Sequence, residues 1–149
     1  MYRKILVALD GSATSRAALQ QALGLARLTG AELCVLHVLD EGVLVWNSGE
    51  LAAPDKILDA LREGGERILK AARTAVDKAG CKARYRLIGS GAQPVYAVLL
   101  EEARKCRAEL IILGSHGRRL LARLLLGSVA DHVIHTAPVP VLLVRTRGK

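Results

Sequence analysis

From Glu32 to Leu39 the chain reads E-L-C-V-L-H-V-L, almost unbroken in apolar residues and set between Gly30 and Asp40. The run is too short for a typical buried helix. A strand with one wet face would alternate polar and apolar side chains, and this one does not, so it predicts a strand covered on both sides. Sheets of that kind are parallel and need helical crossovers. The rest of the chain supplies them in strict alternation.

Ile5 to Leu9 predicts a first strand. Ser12 or Thr14 can cap a helix that runs to about Thr29, with Ala18, Ala22, Leu25 and Ala26 on its inner face and Gly30 as its stop. After the Glu32–Leu39 strand, Asp40 to about Pro54 shows no regular period and predicts an irregular loop, either a local plug built on Val45 and Trp46 or a lid. A long amphipathic helix follows, Asp55 to Ala79, with Ile57, Leu58, Leu61, Ile68, Leu69, Ala72 and Val76 on one stripe; Gly64 and Gly65 weaken its middle and Gly80 ends it. Lys82 to Ile88 alternates in type, which predicts an edge position or one wet face. Pro94 suits the first turn of a helix to about Arg107. Strands at Leu110–Leu113 and Val141–Arg145 flank a short helix, Val129 to about Thr136.

Five strands with helices between them predict one α/β domain over residues 1–149: a single open five-stranded parallel sheet, Rossmann-like, with helices on both faces. Right-handed crossovers restrict the arrangements. If strands one to three step outward one way and four and five lie on the other side, the order is 3-2-1-4-5. Asp10 and Gly114 then leave adjacent strands at the switch point, where such sheets bind ligands.

The stretch after the fourth strand carries the chemistry. Leu110 to Val129 reads L-I-I-L-G-S-H-G-R-R-L-L-A-R-L-L-L-G-S-V. Gly114 and Gly117 lack a Cβ, so they can take left-handed angles and let a ligand approach main-chain N–H groups. Gly127 and Ser128 open the next helix, whose first N–H groups have no internal partners and carry partial positive charge, which suits an anion.

This spacing resembles the nucleotide-binding signature of the universal stress protein family. The opening I-L-V-A-L-D-G-S, the L-H-V at Leu36 to Val38 and the closing P-V-P-V-L-L-V at Pro138 to Val144 are also similar to that family, in the same order. The resemblance implies an adenine nucleotide alpha hydrolase-like fold, ATP as ligand with or without Mg2+, and a homodimer formed through the final strand. It implies adenine contacts near Ala8 and Val38, ribose or polyphosphate contacts at Asp10, and a cradle of Gly114, Gly117, Gly127, Ser128 and Val129. Ala8 stands where many members carry proline. His116, inside the motif, is either a phosphate donor or acid or a hydrogen-bonding loop residue.

Several function classes drop out. No G-x-x-x-x-G-K-[ST] occurs, Gly89-Ser90-Gly91 leads to Pro94 in place of a third glycine, and Ser128 is not in a G-x-S-x-G elbow. Asp131 and His132, adjacent on a helix, point apart and form no catalytic dyad; His37, His132 and His135 are expected to be structural. The formal charge is +8, yet the chain has no phenylalanine, one tryptophan and three tyrosines. Without stacking platforms, nucleic acid is disfavoured. Arg118, Arg119 and Arg123 are expected to form a solvated basic face. Cys34, Cys81 and Cys106 have no zinc or disulfide spacing and are expected to be free thiols. The absence of any long apolar run or signal layout leads to the expectation of a cytoplasmic protein without membrane contact. Three functions remain: an ATP-binding regulatory or sensor protein in stress response, a slow ATPase or phosphotransferase using His116, and an interaction module that binds no nucleotide.

Overall fold

The computed structural model describes residues 1–46, 54–116 and 126–146. Its elements follow in the order β1 (Lys4–Ala8), α1 (Ala13–Thr29), β2 (Glu32–Leu39), α2 (Gly42–Trp46), α3 (Pro54–Ala79), β3 (Ala83–Gly89), α4 (Val95–Lys105), β4 (Leu110–Gly114), α5 (Ser128–Thr136) and β5 (Val141–Val144). The five strands form one parallel sheet in the order β3-β2-β1-β4-β5, as expected.

Crossover handedness explains which helix covers which face. From β1 to β2 to β3 the chain steps in one direction, so α1 and α3 land on the same side; from β3 to β4 it doubles back past β2 and β1, which puts α4, and then α5, on the other. The central strands divide their side chains accordingly. Ile5, Val7, Leu33, Val35, Leu110 and Ile112 pack with Ala18, Ala22, Ala26, Ala72 and Val76. Leu6, Cys34, Leu36, Ile111 and Leu113 pack with Leu99, Ala103 and Val133. Both faces of β2 are covered, as its composition requires.

Local chemistry sets the ends. The Ser12 side chain accepts the Ser15 N–H at the start of α1, and Gly30, at φ 75°, takes the left-handed angle that stops it. Pro94 is the residue before α4 instead of its first helical residue. That helix ends earlier than expected: Arg107 adopts φ 56°, and the Ala108 N–H bonds back to the Ala103 carbonyl at 2.8 Å. Tyr96 of α4 stacks on His132 of α5, with ring centroids 4.3 Å apart, which joins the two helices of that layer.

Two expectations change. The segment after β2 is not irregular at its start: α2 forms there, because Ser90 Oγ accepts the Glu41 N–H at 2.9 Å and the Leu44 N–H turns back to the Glu41 carbonyl. Residues 47–53, and the side chains of Val45 and Trp46, lie outside the described residues, so the plug and lid readings fall there too. Gly65, read as a weak point of α3, is a contact point. A Cβ at that position would stand 2.7 Å from Leu87 Cδ1 and 2.8 Å from His37 Cδ2, so the missing side chain lets α3 lie close on β2 and β3.

β3 is an edge strand with Arg84 and Arg86 exposed and Ala83, Tyr85 and Leu87 half-buried. Arg84 pairs with Glu32 on the neighbouring strand at 2.7 Å, and Arg73 lies over the Tyr85 ring at 4.1 Å. β5 is the opposite edge; its middle residue Leu142 is 37% exposed. Among the described residues no helix is long and apolar enough to cross a membrane.

The two adjacent glycines of α3 should respond oppositely to substitution. Gly65→Val forces an over-packed contact and is expected to destabilise by about 1–3 kcal/mol. Gly64→Ala, where the nearest atom is Arg67 Nη2 at 3.8 Å, should stabilise by up to about 1 kcal/mol from helix propensity. Urea denaturation of both variants checks this, and equal effects would contradict the assigned packing.

Candidate functional site

Where the chain changes direction, the loops leaving β1 and β4 part and open a crevice at the carboxyl ends of the strands. A cavity of about 850 Å³ lies there. Ala8, Asp10, Val38, Gly114, His116, Gly127, Ser128 and Val129 all line it, brought from β1, β2, β4 and α5 to one place. Gly117, with Arg118, Arg119 and Arg123, lies outside the described residues.

The β1 side is shaped by a tight turn. Gly11 takes φ 82°, and Asp10 Oδ1 accepts the Ser12 N–H at 2.8 Å, an Asx turn that leads the chain into α1. One carboxylate oxygen of Asp10 is thus engaged by backbone, while the residue still lines the cavity. Arg16, one helical turn on, donates to the Gly11 carbonyl at 2.7 Å and brings a guanidinium to the cavity wall. Ala8 and Val38 are half-buried at the ends of their strands and present small apolar surfaces. His37 supports this floor from β2: its Nδ1 lies 2.6 Å from the Leu9 carbonyl, the structural role expected of it.

On the β4 side the geometry corrects one expectation. Gly114 is the last residue of a strand and does not take a left-handed angle. Its need for glycine comes from protein packing, because a Cβ there would stand 2.6 Å from Thr14 Oγ1 and 2.8 Å from the Ser15 N. The first turn of α1 therefore sits directly against the end of β4. Thr14, 2% exposed, secures the contact by donating its hydroxyl to the His116 carbonyl. Ser115, also buried, donates its N–H to the Val144 carbonyl and accepts the Gly127 N–H on its own carbonyl at 2.8 Å. The His116 ring is near its neighbour, with Nδ1 3.2 Å from Ser115 Oγ.

Gly127 caps α5 with φ −62° and ψ 148° and has no side chain to bond the first turn. Helix N–H groups at such an end are left for solvent or a ligand, and the aligned peptide dipoles make the position favourable for an anion. In that turn Asp131 Oδ1 lies 3.6 Å from His135 Nδ1, and His132 Nδ1 lies 2.7 Å from the Ser128 carbonyl. Neither histidine lines the cavity.

Sequence reasoning missed the third wall. Leu61, Gly64, Gly65, Ile68 and Arg67 of α3 line the same cavity with Leu39 and Asp40. The amphipathic stripe of α3 identified a buried face without indicating that part of it borders a cleft. Among the described residues no group of His, Cys, Asp and Glu side chains could hold a metal ion.

Comparison with known proteins agrees with this architecture. The sequence profile of the universal stress protein family matches residues 1–145. The chain is 35% identical over 151 residues to universal stress protein YxiE of Bacillus subtilis, covering 97% of this chain and 100% of that protein. Among solved structures, MJ0577 of Methanocaldococcus jannaschii superposes with a TM-score of 0.86 at 27% identity, covering 100% of this chain and 99% of the other. The universal stress protein of Archaeoglobus fulgidus in complex with dAMP superposes with a TM-score of 0.66 at 27% identity, covering 96% and 98%.

If Gly114 is required by the α1 contact, Gly114→Ala should lower stability by about 1–3 kcal/mol through overpacking. Thr14→Val, which removes the hydroxyl and keeps the volume, should cost about 1 kcal/mol for the lost hydrogen bond. Thermal melts without ligand measure both, and an unchanged Gly114→Ala melt would contradict the contact.

Proposed function

The chain belongs to the universal stress protein family, and we propose that it is an ATP-binding member that acts as a regulatory or sensor module in stress response. The observation that carries this reading is the convergence of Asp10, Gly114 and Gly127, from three separate stretches, on one cavity at the switch point of the sheet. The dAMP complex of the Archaeoglobus fulgidus relative supports an adenine nucleotide as the ligand class. A volume near 850 Å³ has room for base, sugar and polyphosphate together.

In this reading adenine lies against Ala8 and Val38, and the carboxylate oxygen of Asp10 not engaged by Ser12 accepts a ribose hydroxyl. The phosphates meet the N–H groups of Ser128 and Val129 at the start of α5, with Gly117 completing the cradle. A Mg2+ ion would be held mainly by the phosphates. Nucleotide then bridges the β1 and β4 loops and biases the conformation of the surfaces around them.

Hydrolysis is slow or absent. Phosphoryl transfer needs a positioned nucleophile and cationic stabilisation of the transferring group. His116 has its Nδ1 engaged near Ser115, which fits a positioning role at the phosphates better than proton transfer. The protein acts as a homodimer joined through β5, whose apolar edge Val141–Val144 pairs with a second copy about a twofold axis.

Gly127 provides the test of binding. Its angles suit any residue, so Gly127→Val should fold, while the branched side chain obstructs the approach to the Ser128 and Val129 N–H groups. Calorimetric titration with ATP should show binding by the parent and none by this variant, with similar melts for both. Folded Gly127→Val that binds as tightly as the parent would remove the cradle from Gly127–Val129. Phosphate release by the parent at more than about 1 per second, lost in His116→Ala, would make the protein an enzyme.

Association is tested separately by light scattering at micromolar concentration. The parent should give the mass of two chains, and Leu142→Lys should shift it toward one by placing a charge on the pairing edge. A monomeric parent would refute the β5 interface.

A further inference from the structure

At the opposite end of the sheet, where the strands begin, two of the three cysteines meet. Cys34 of β2 is buried on the α4 side, between Leu6 of β1 and Arg84 of β3 in register. Cys106 is the residue that caps the end of α4, half-buried against the same cluster. The two thiols line one small cavity of about 120 Å³, where the Cys106 Sγ lies 3.5 Å from the Ala103 carbonyl. None of its lining residues belongs to the nucleotide cleft. Cys81 is elsewhere, packed on the α1 and α3 face with its sulfur 3.8 Å from the Leu23 carbonyl.

The surroundings distinguish the two sulfurs. Cations rim the cavity from several elements: Lys4 from β1, Arg84 from β3, Lys105 and Arg107 from the end of α4. The nearby carboxylates are already engaged, Glu32 by Arg84 at 2.7 Å and Glu102 by Arg86 at 3.2 Å and Lys105 at 3.0 Å. The neighbouring Cys34 thiol, opposed by burial and aided by the backbone at Ala108 and the Lys4 charge, draws the Cys106 thiol down to about 7. The neighbouring Cys106 sulfur and burial push the Cys34 thiol up. The two sulfurs thus differ in direction, Cys106 shifted toward the thiolate and Cys34 toward the thiol.

We propose that Cys106 and Cys34 are a peroxide-responsive thiol pair, with Cys106 the attacking sulfur and Cys34 the resolving one. The oxidant is a hydroperoxide. The Cys106 thiolate attacks its terminal oxygen; the S–O bond forms as the O–O bond breaks, the leaving oxygen takes a proton to become water or an alcohol, and Cys106 becomes a sulfenic acid. Cys34 then attacks that sulfur; the S–S bond forms as the S–O bond breaks, and the Cys34 proton leaves with the hydroxide as water. The two thiols have lost two electrons to the peroxide. A dithiol reductant restores both.

The test uses the purified full chain, freed of reductant and treated with hydrogen peroxide at a small molar excess. Intact mass should fall by two hydrogens, peptide mapping should join Cys34 to Cys106, and dithiothreitol should reverse both. In Cys34→Ala, dimedone should trap a sulfenic acid at Cys106; in Cys106→Ala, neither disulfide nor adduct should form at Cys34. Oxidation of Cys81 ahead of Cys106, a disulfide formed only between chains, or no loss of thiols would each overturn the proposal. Should either variant fail to fold, alkylation of the unaltered protein at pH 7 still decides: Cys106 should react about tenfold faster than Cys81, and equal rates would overturn it.

Discussion

The handedness of the crossovers is the constraint on which the rest of the molecule depends. Because crossovers between parallel strands turn to the right as a rule, the chain returns from β3 to the other side of β1 by passing across the opposite face of the sheet, and that return makes β1 and β4 neighbours. Their outgoing loops then travel to opposite faces. The crevice between them is a consequence of topology, and the residues at Asp10 and Gly114 reach it whatever their chemistry.

What topology opens, packing must keep in shape. The end of β4 and the first turn of α1 touch so closely that Gly114 has no room for a side chain, and the Thr14 hydroxyl fixes the carbonyl just beyond it. From there the Ser115 backbone reaches both β5 and Gly127. One side-chain bond from Thr14 and main-chain bonds from Ser115 thus connect the start of α1 to the start of α5, so the two helix ends that border the cleft are held to one another. The cleft is built on backbone hydrogen bonds and small residues, with few charged side chains in structural roles.

The sequence made legible whatever depends on periodicity or on a single residue's backbone preference. The unbroken apolar run of β2, the alternation of β3 and the stop at Gly30 marked a central strand, an edge and a helix end, and the order 3-2-1-4-5, conditional on which way the strands step, is the one observed. Contacts between distant elements were not legible in the same way. Gly65 reads as a flaw in a helix until Leu87 and His37 are known to lie beneath it, and Gly114, which does line the cavity, reads as a glycine kept for its ligand until Thr14 is known to lie against it. Cys34 and Cys106 carry no spacing signal, since only the crossover through α4 makes them neighbours. For the site, the strand-end and glycine positions were recoverable, whereas the α3 wall was hidden because a stripe of apolar residues looks the same over a core and beside a cleft.

The two margins of the sheet differ in a way that limits growth. At β3 the outermost strand carries Arg84 and Arg86, and a further arginine lies over its tyrosine. At β5 the outermost strand is V-L-L-V, entered from a proline. Strand addition at the first margin would crowd arginines already paired with Glu32 and Glu102, while the second margin carries only apolar side chains. Any sheet continued through β5 therefore ends on both flanks in arginine-bearing strands. In the proposed β5 pairing the joined sheet would stop there, since each chain offers one margin of that kind and its other margin is of a different chemistry.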